Sequence, residues 1–507
     1  MMNAPGQEFP PPSALSPSFT ASLYLTLLPA IYLPRGQSCA CSKSSDRHTK
    51  ARKMTDQIFI AEDETAVVND LATRLMHSKN VGVDDVVGSE VVAGSRRVLV
   101  HHYPLSKAGV HEAVETIIGE FETVEKARSI ASAILRTTHL PMTKRTMYVV
   151  INPASGTGKS LLIWENYVRP MLVEHAGINF PPENVIVTTR PNEALERTKG
   201  FDLSSCDGII AIGGDGTMYE VVQGLLGRDD WREAIKVPLS LIPGGSGNGL
   251  SCSILYQAGM SVKYSAFFQA ALNISFLIAR GSTKKCDISV VENAQGKMFS
   301  FLSVSWGFGS EVDIGSEVCR CCGSIRFTLY ALQLIWCSCQ TYNAVLHLLP
   351  PSASPRRAPS VGHGKDEEDD GPTVVSLENN LLPPLSTPIG QAHWDQGWKT
   401  IDLSKNQFFM ATQVPYVEPE MKFNPESKLD DGLMSIQLVD GANPCQFTGL
   451  LLSLETGDHL NIEKVNAYNA IAFRLEPLDG LVVVDGELVE TSPVQAQCHQ
   501  GVLTMYG

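Results

Sequence analysis

Three short stretches of this chain place glycines beside small polar residues in the way that phosphate chemistry requires. They are INPASGTGKS (151–160), AIGGDGTMYE (211–220) and IPGGSGNGLS (242–251). Each follows an apolar run and precedes a stretch with helical spacing. Backbone N–H groups at such a helix start form an anion site, and glycine lets a ligand approach the backbone. The first stretch departs from the G-x-x-x-x-G-K-[ST] pattern, because counting back from Gly158 puts Pro153 where a glycine should stand. Ser155, Gly156, Thr157, Gly158, Lys159 and Ser160 still form a polar βα turn after Asn152. In the second, GIIAI ends at Ile212, and Gly213 and Gly214 read as residues free to take positive φ. Thr217 and Glu220 fit a capping box, which predicts a helix from about Met218 to a stop at Gly227. Asp215 then sits between strand end and helix start. A carboxylate there could hold a metal, take a proton or form an Asx-turn, and the residues alone leave all three open. The third loop presents the hydroxyl of Ser246 and the amide of Asn248 among glycines. Three such loops at successive strand ends predict a cradle for a polyphosphate, most simply ATP.

The elements that must position them are legible in outline. TMYVVIN (146–152), ENVIVTTR (183–190), DGIIAIG (207–213) and VPLSLIP (237–243) are apolar runs separated by helical patterns such as KSLLIWENYVRPMLVEH. This is the βαβ rhythm of a parallel, Rossmann-like sheet, in which ligands bind beyond the carboxyl ends of the strands. After about residue 280 the rhythm changes to closely spaced strands, among them KMFSFLSVSWGF, NQFFMATQV, LMSIQLVD and LVVVDGELV, which predicts a mainly antiparallel β-rich domain. The expected fold class is therefore an α/β catalytic domain over 146–280 followed by a β-rich domain over 281–507. A Pro-rich, charged segment at 351–392 reads as a disordered insert, and its acidic run Asp366–Asp370 as solvated.

Residues 56–140 read as a small accessory module. QIFIA, VVAG and RRVLVHHYPL look like strands and 110–135 is largely helical in period, an order compatible with a pleckstrin-homology-like unit or a structural cap. Residues 1–55 read as a disordered extension. Their one apolar patch, 21–34, is shorter than the ~20 residues of a spanning helix and is broken by Pro29. No basic region precedes it, which argues against a secretory signal. The chain of 507 residues is 43% hydrophobic and 19% charged, with a net charge of −14. That composition suits a globular protein and gives no basic face for nucleic acid. Its twelve cysteines are not spaced as a disulfide framework, which predicts a reducing, cytoplasmic setting. Cys319-x-x-Cys322 and Cys337-x-Cys339 read as ordinary thiols rather than zinc ligands, and Asp430 and Asp431 as a turn before a strand.

In combination these motifs resemble the diacylglycerol-kinase-type catalytic fold, with GGDGT at Gly213–Thr217 and P-x-G-S-G-N at Pro243–Asn248. The segments FLSVSWGFGSEVDIGSE and IRFTL (301–329), AFRLEP (472–477) and VDGELV (484–489) narrow the resemblance to the sphingosine kinase, or sphingoid long-chain base kinase, family, including its fungal-type members. It runs from about 147 to 507 apart from the insert. What it implies is an ATP- and Mg²⁺-dependent kinase for the primary hydroxyl of a sphingoid base, with Asp215 as the general base. It further implies nucleotide contacts at Asn152, Ser155, Gly156, Thr157, Gly158, Lys159, Thr188, Gly213, Gly214, Gly216, Thr217, Ser246, Gly247 and Asn248. Arg320, Arg326, Gly486 and Glu487 complete that set, and Asp313, with Glu311 as helper, would hold the lipid's polar head. The metal ligands stay unassigned. The chain departs from the family pattern at Glu311, where aspartate is common, at Glu193, where histidine is frequent, and at Cys319, Cys321 and Cys322 around Arg320.

The apolar stretches 328–349 and 445–460 are candidates for the wall of a lipid sleeve, or for plain core. The expected partners are the lipid and a peripheral membrane surface, plasma or intracellular, with no nucleic acid and a homodimer left open. The alternatives are a diacylglycerol or ceramide kinase, a soluble kinase of the NAD kinase type, and a catalytically silent lipid-binding scaffold.

Overall fold

A computed structural model describes residues 65–107, 109–263, 267–322, 325–338, 340–351, 377, 381–389 and 397–507. The N-terminal extension, the strand read at QIFIA and most of the insert lie outside the described residues.

The chain from Thr65 begins with a helix, α1 (Thr65–Ser78), which the sequence reading did not expect. A three-stranded antiparallel sheet follows, β1 (Val86–Val91), β2 (Arg97–His102) and β3 (Val114–Glu120), and then α2 (Val124–Thr137). The stretch 110–135 is thus not one helical unit. Val114–Glu120 pairs along its length with β2, and the helix begins only where Thr123 caps it by accepting from the Lys126 amide. Val68, Met76, Val98, Val100, Ile130 and Ile134 form the core between this sheet and both helices. The module is anchored to the rest of the chain. Tyr103 hydrogen-bonds His175 at 2.6 Å, and Arg280 donates to the carbonyl of Val86 at 3.0 Å.

The central layer is parallel. Strand β4 (Met147–Ile151) lies between β5 (Val185–Val187) and β6 (Gly208–Gly213), and β6 pairs with β7 (Leu239–Pro243). All six residues of β6 and all five of β7 are buried, as continuous apolar strands covered on both faces should be. Helices α3 (Ser160–Ile163, continued by π-turns over Trp164–Val168 and Pro170–His175), α4 (Glu193–Lys199), α5 (Asp215–Leu226), α6 (Gly249–Gln257) and α7 (Phe267–Arg280) connect and cover them. Helix α5 starts at Asp215 rather than near Met218, so the expected capping box does not form. The Glu220 carboxylate instead accepts from the amides of Asn192 and Ala194, at the N-terminus of α4. Thr217 Oγ1 accepts from the Asn152 side chain. Two helix starts compete for one glutamate, and the neighbouring one holds it.

The β-rich part contains β8 (Thr283–Asn293), β9 (Gly296–Ser300), β10 (Ser303–Gly307), β11 (Tyr342–Leu349), β12 (Lys399–Thr412), β13 (Met434–Asp440), β14 (Val465–Ala470), β15 (Ala472–Pro477), β16 (Val482–Val484), β17 (Glu487–Val489) and β18 (Val494–Tyr506). Helices α8 (Phe308–Ser316), α9 (Ile325–Cys337) and α10 (Pro444–Ser453) flank it. Its pairings are antiparallel, as expected. The two parts are nevertheless joined in one sheet, because β18 runs parallel beside β7 through Met505 and Leu239. Residues 381–389, read as part of the insert, dock on this sheet. Arg474 donates to the carbonyls of Pro383, Pro384 and Thr387, and Leu382 is buried. Among the described residues, no helix is long and apolar enough to cross a membrane.

Candidate active site

The three glycine loops sit at the carboxyl ends of β4, β6 and β7, which are adjacent in the sheet. They interleave. Gly156 takes φ +54°, and a Cβ there would lie 2.6 Å from the Gly245 carbonyl carbon. A Cβ on Gly214 would lie 2.8 Å from the Gly247 carbonyl oxygen. Gly213 and Gly214 do not take positive φ. Their smallness lets one loop pass the next, while the left-handed positions fall at Gly156 and Gly158 in the first loop.

Asp215 ties the second loop to the third. One carboxylate oxygen accepts from the Gly249 amide at 2.8 Å and the other from the Leu250 amide at 3.1 Å, the first N–H groups of α6. Its own amide donates to the Gly247 carbonyl at 3.2 Å. The residue is 6% exposed. Burial pushes its carboxyl up to about 7, the charge of Asp485 adds to this, and the two amides act in the opposite sense.

A cleft of about 930 Å³ opens over these loops and continues into the β-rich part. Asn152, Ser155, Gly156, Thr188, Gly214, Asp215, Gly216, Thr217, Ser246, Gly247, Asp313, Arg326, Gly486 and Glu487 all line it. Thr157, Gly158, Lys159, Gly213, Asn248 and Glu311 are not on its wall. Asn248 turns inward and bonds the carbonyl and amide of Gly245, so it shapes its loop instead of presenting its amide. Glu311 accepts a hydrogen bond from Tyr342, and burial raises its carboxyl above the ordinary range. Arg320 lies on the helical turn Glu317–Cys322, and its side chain is outside the described residues. Arg326 is buried, donates to Glu317 at 2.6 Å, and keeps an Nε–H with no acceptor among the described residues.

The far end of the cleft is apolar. Ala331 and Ile335 of α9, Phe447, Leu450 and Leu451 of α10, and Phe408, Met410 and Phe423 line it. Both stretches expected to wall a sleeve do so, and most of these side chains also make up one packed cluster, so sleeve and core are the same residues. The stretch 328–349 divides, with α9 ending at Cys337 and β11 starting at Tyr342.

Two functional candidates escaped the sequence reading. Asp485 was passed over in favour of its neighbours Gly486 and Glu487. It takes φ +49° in the β16–β17 turn and is 3% exposed. Its carboxylate accepts from the Ser300 hydroxyl (2.7 Å) and from the amides of Ser303 (2.8 Å), Phe301 (3.0 Å) and Leu302 (3.1 Å). Burial pushes it up to about 6. An aspartate before glycine in an apolar hairpin was the available signal. The other is Glu418, which lines the cleft from the loop after β12. Burial and the charges of Asp313, Glu420 and Asp215 hold its carboxyl well above the carboxylate range.

Cys319 and Cys337 form no disulfide, and the side chains of Cys322 and Cys339, with which they were paired in the sequence, lie outside the described residues, while Asp431 closes a turn by accepting from the amides of Lys428 and Leu433. His101, Glu115 and His175 come together where the accessory module meets α3. Their two imidazoles stack nearly parallel, 4.2 Å apart, so the in-plane lone pairs do not converge on one ion.

Residues 146–289 match the family model of the diacylglycerol kinase catalytic domain. Residues 404–507 match that of the YegS C-terminal NAD kinase beta sandwich-like domain. The chain is 30% identical over 480 residues to sphingosine kinase 2 of Homo sapiens, covering 72% of this chain and 71% of that one. It is 32% identical over 366 residues to sphingosine kinase 1 of Rattus norvegicus, covering 70% and 89%. It is 29% identical over 369 residues to sphingoid long chain base kinase 4 of Schizosaccharomyces pombe, covering 70% and 73%. The chain belongs to the sphingosine kinase family. As a member it is an ATP-dependent lipid kinase, a phosphotransferase with an alcohol group as acceptor. In this family member the phosphate-binding type of loop and the apolar wall share one cleft, with Asp215 on the wall between the two parts of the chain.

Asp485→Ala should strand a buried hydroxyl and three amides. The expected cost is on the order of 3 kcal/mol, read as a lowered urea midpoint. Wild-type stability in that variant would contradict the role given to the turn.

Proposed function

We propose that the acceptor is a sphingoid long-chain base, and that the γ-phosphoryl of ATP passes to its primary hydroxyl to give the 1-phosphate. The observation that carries this reading is the gradient along one cleft: glycine loops at one end, carboxyls in the middle, an apolar sleeve at the other. A triphosphate would lie across the loops, where backbone N–H groups and the unpartnered Nε–H of Arg326 meet phosphate oxygens. The alkyl chain would fill the sleeve. The ammonium of the base would pair with Asp313, a charge-assisted contact that a neutral diacylglycerol head cannot make. Asp485 and Glu487 offer the hard oxygen donors that Mg²⁺ takes and would hold it, and the ion supplies charge neutralisation at the phosphates. Incubation with labelled ATP and a sphingoid base, diacylglycerol or ceramide should label only the free base. Asp313→Ala should lower kcat/KM for the base by about 10- to 100-fold. Label on diacylglycerol alone would overturn the reading.

Asp215 is the general base in this proposal. A primary alcohol attacks once its proton has an acceptor, and a carboxyl with a pKa near the working pH is suited to take it. Both oxygens are steered by amides, which fixes the carboxylate while lone pairs remain for the alcohol. Because the charged form is the active one, kcat/KM should rise with pH through about 7 and fall below it. Asp215→Asn should lose at least about 100-fold in kcat and retain nucleotide binding by calorimetry. Its amide also faces a backbone donor, so a modest drop in Tm should accompany the loss. A variant with undiminished turnover would remove Asp215 from this role.

We further propose peripheral membrane contact from a cytoplasmic location, and the sleeve's rim supports the contact. Val318, Ile325, Trp336 and Leu452 are all more than half exposed, on the helical turn, α9 and α10 that surround the apolar end. Soluble surfaces seldom cluster large apolar side chains in this way, and a lipid substrate must enter here. Trp336→Glu with Leu452→Glu should reduce co-sedimentation with phosphatidylcholine–phosphatidylserine vesicles several-fold, and unchanged binding would remove this face as the contact.

A further inference from the structure

The carboxyls along the cleft are not equivalent. Asp215 is bound by two amides, Asp485 by four donors, Glu317 by Arg326 and Glu455 by Lys263. The Glu418 carboxyl, half-buried on the cleft wall, makes no side-chain hydrogen bond or ion pair with a described residue, and the positive charge that acts on it is that of Arg326. A carboxyl drawn partly out of water without a hydrogen-bond donor is costly. Its backbone is held firmly. The Val417 amide donates to the Met421 carbonyl, and the Met421 amide to the Glu418 carbonyl. Tyr416 is bonded in both directions to the Ser253 hydroxyl on α6, the helix whose first amides hold Asp215. The side chain is therefore aimed by a rigid turn fixed to the same helix as Asp215.

We propose that Glu418 is a specificity-determining residue whose carboxyl hydrogen-bonds the second hydroxyl of the lipid head, the one on the chain side of the amine-bearing carbon, so that the site selects a 2-amino-1,3-diol head. This rests on the sphingoid-base reading above. The order of groups on such a head is primary hydroxyl, amine, second hydroxyl, chain. Asp215 takes the first, Asp313 the second, and the sleeve the last. Glu418 feels the charges of both Asp215 and Asp313, and it follows Val417 of the apolar cluster. The second hydroxyl is therefore set against Glu418 in this proposal. Its chemistry suits a hydroxyl better than a cation. Burial and then the charges of Asp313, Glu420 and Asp215 raise its carboxyl against the opposing charge of Arg326. This favours the protonated form, and a neutral carboxyl both donates and accepts. A site built around such a hydrogen bond rejects the analogue lacking the hydroxyl, because its own polar group is then left unpaired.

The test compares kcat/KM for sphinganine and for 3-deoxysphinganine of the same chain length, in the wild-type chain, Glu418→Ala and Glu418→Gln, with diacylglycerol alongside. The wild type should prefer the 3-hydroxyl lipid by about tenfold or more. Glu418→Ala should bring the ratio to within about twofold of one, and Glu418→Gln, whose amide also donates and accepts, should keep part of it. Equal loss on both lipids, or a ratio unchanged by Glu418→Ala, overturns the inference while leaving the substrate class intact. Turnover of diacylglycerol in place of either base overturns the substrate class instead, and the inference with it.

Discussion

The arrangement depends on one contact: the Asp215 carboxylate bound by the first two amides of α6. Three glycine loops pass so close that side chains would separate them, and close passage of flexible backbone does not by itself fix a geometry. A charged acceptor on the second loop, satisfied by a helix N-terminus on the third, does. Helix-end amides are orphan donors that need such an acceptor, and the helix dipole favours its charge. The first loop joins through the Asn152 side chain, which donates to Thr217 in the first turn of α5. The same carboxyl thus assembles the loops and faces the cleft. Its position is set by structure before any substrate arrives, which is what preorganisation means here.

The β-rich part reaches this point through its last strand. β18 pairs with β15 and β8 on its own side and meets β7 of the parallel layer, so two architectures share one continuous sheet. The β16–β17 turn is thereby carried to the mouth of the cleft. Asp485 fixes that turn against residues 300–303, and its buried charge faces Asp215. Each part supplies one wall, and neither wall is complete alone.

Much of this was legible in the chain. Apolar runs ending in glycine clusters identify parallel strands and their ligand end, because both signals are local. The strands after 280 announce themselves by spacing. Pairing partners do not, and the fusion through Met505 and Leu239 has no local signature. Glu220 shows the same limit: T-x-x-E is a sound capping pattern, but a second helix start nearby accepts the same carboxylate. In 110–135 the helical composition of the second half masked Val114–Glu120, whose pairing with β2 has no local signature. Asn248 looked like a presented amide and serves its own loop. Glu418 lies in an unremarkable YVEPE stretch, and only the packing around it reveals that its carboxyl lines the cleft without a side-chain hydrogen bond.

A cleft that must hold a polyanionic nucleotide is also rich in carboxyls, and this conflict is resolved by segregation. Asp313, Glu418, Asp485 and Glu487 lie on the β-rich wall, whereas the glycine loops offer N–H groups, two of them already taken up by Asp215, and Arg326 is set beside Glu317. Burial raises the affinity for protons at Asp215, Asp485 and Glu418, and neighbouring negative groups add to it at Asp215 and Glu418. That crowding favours whatever brings positive charge. A divalent ion on the nucleotide side and an ammonium on the lipid side each relieve it, and a neutral head does not. Carboxyls that remain protonated stay neutral and serve as hydrogen-bond partners for hydroxyls. In the roles proposed above, the same burial would suit Asp215 to take a proton near neutral pH and Glu418 to read an uncharged group, with environment alone separating the two.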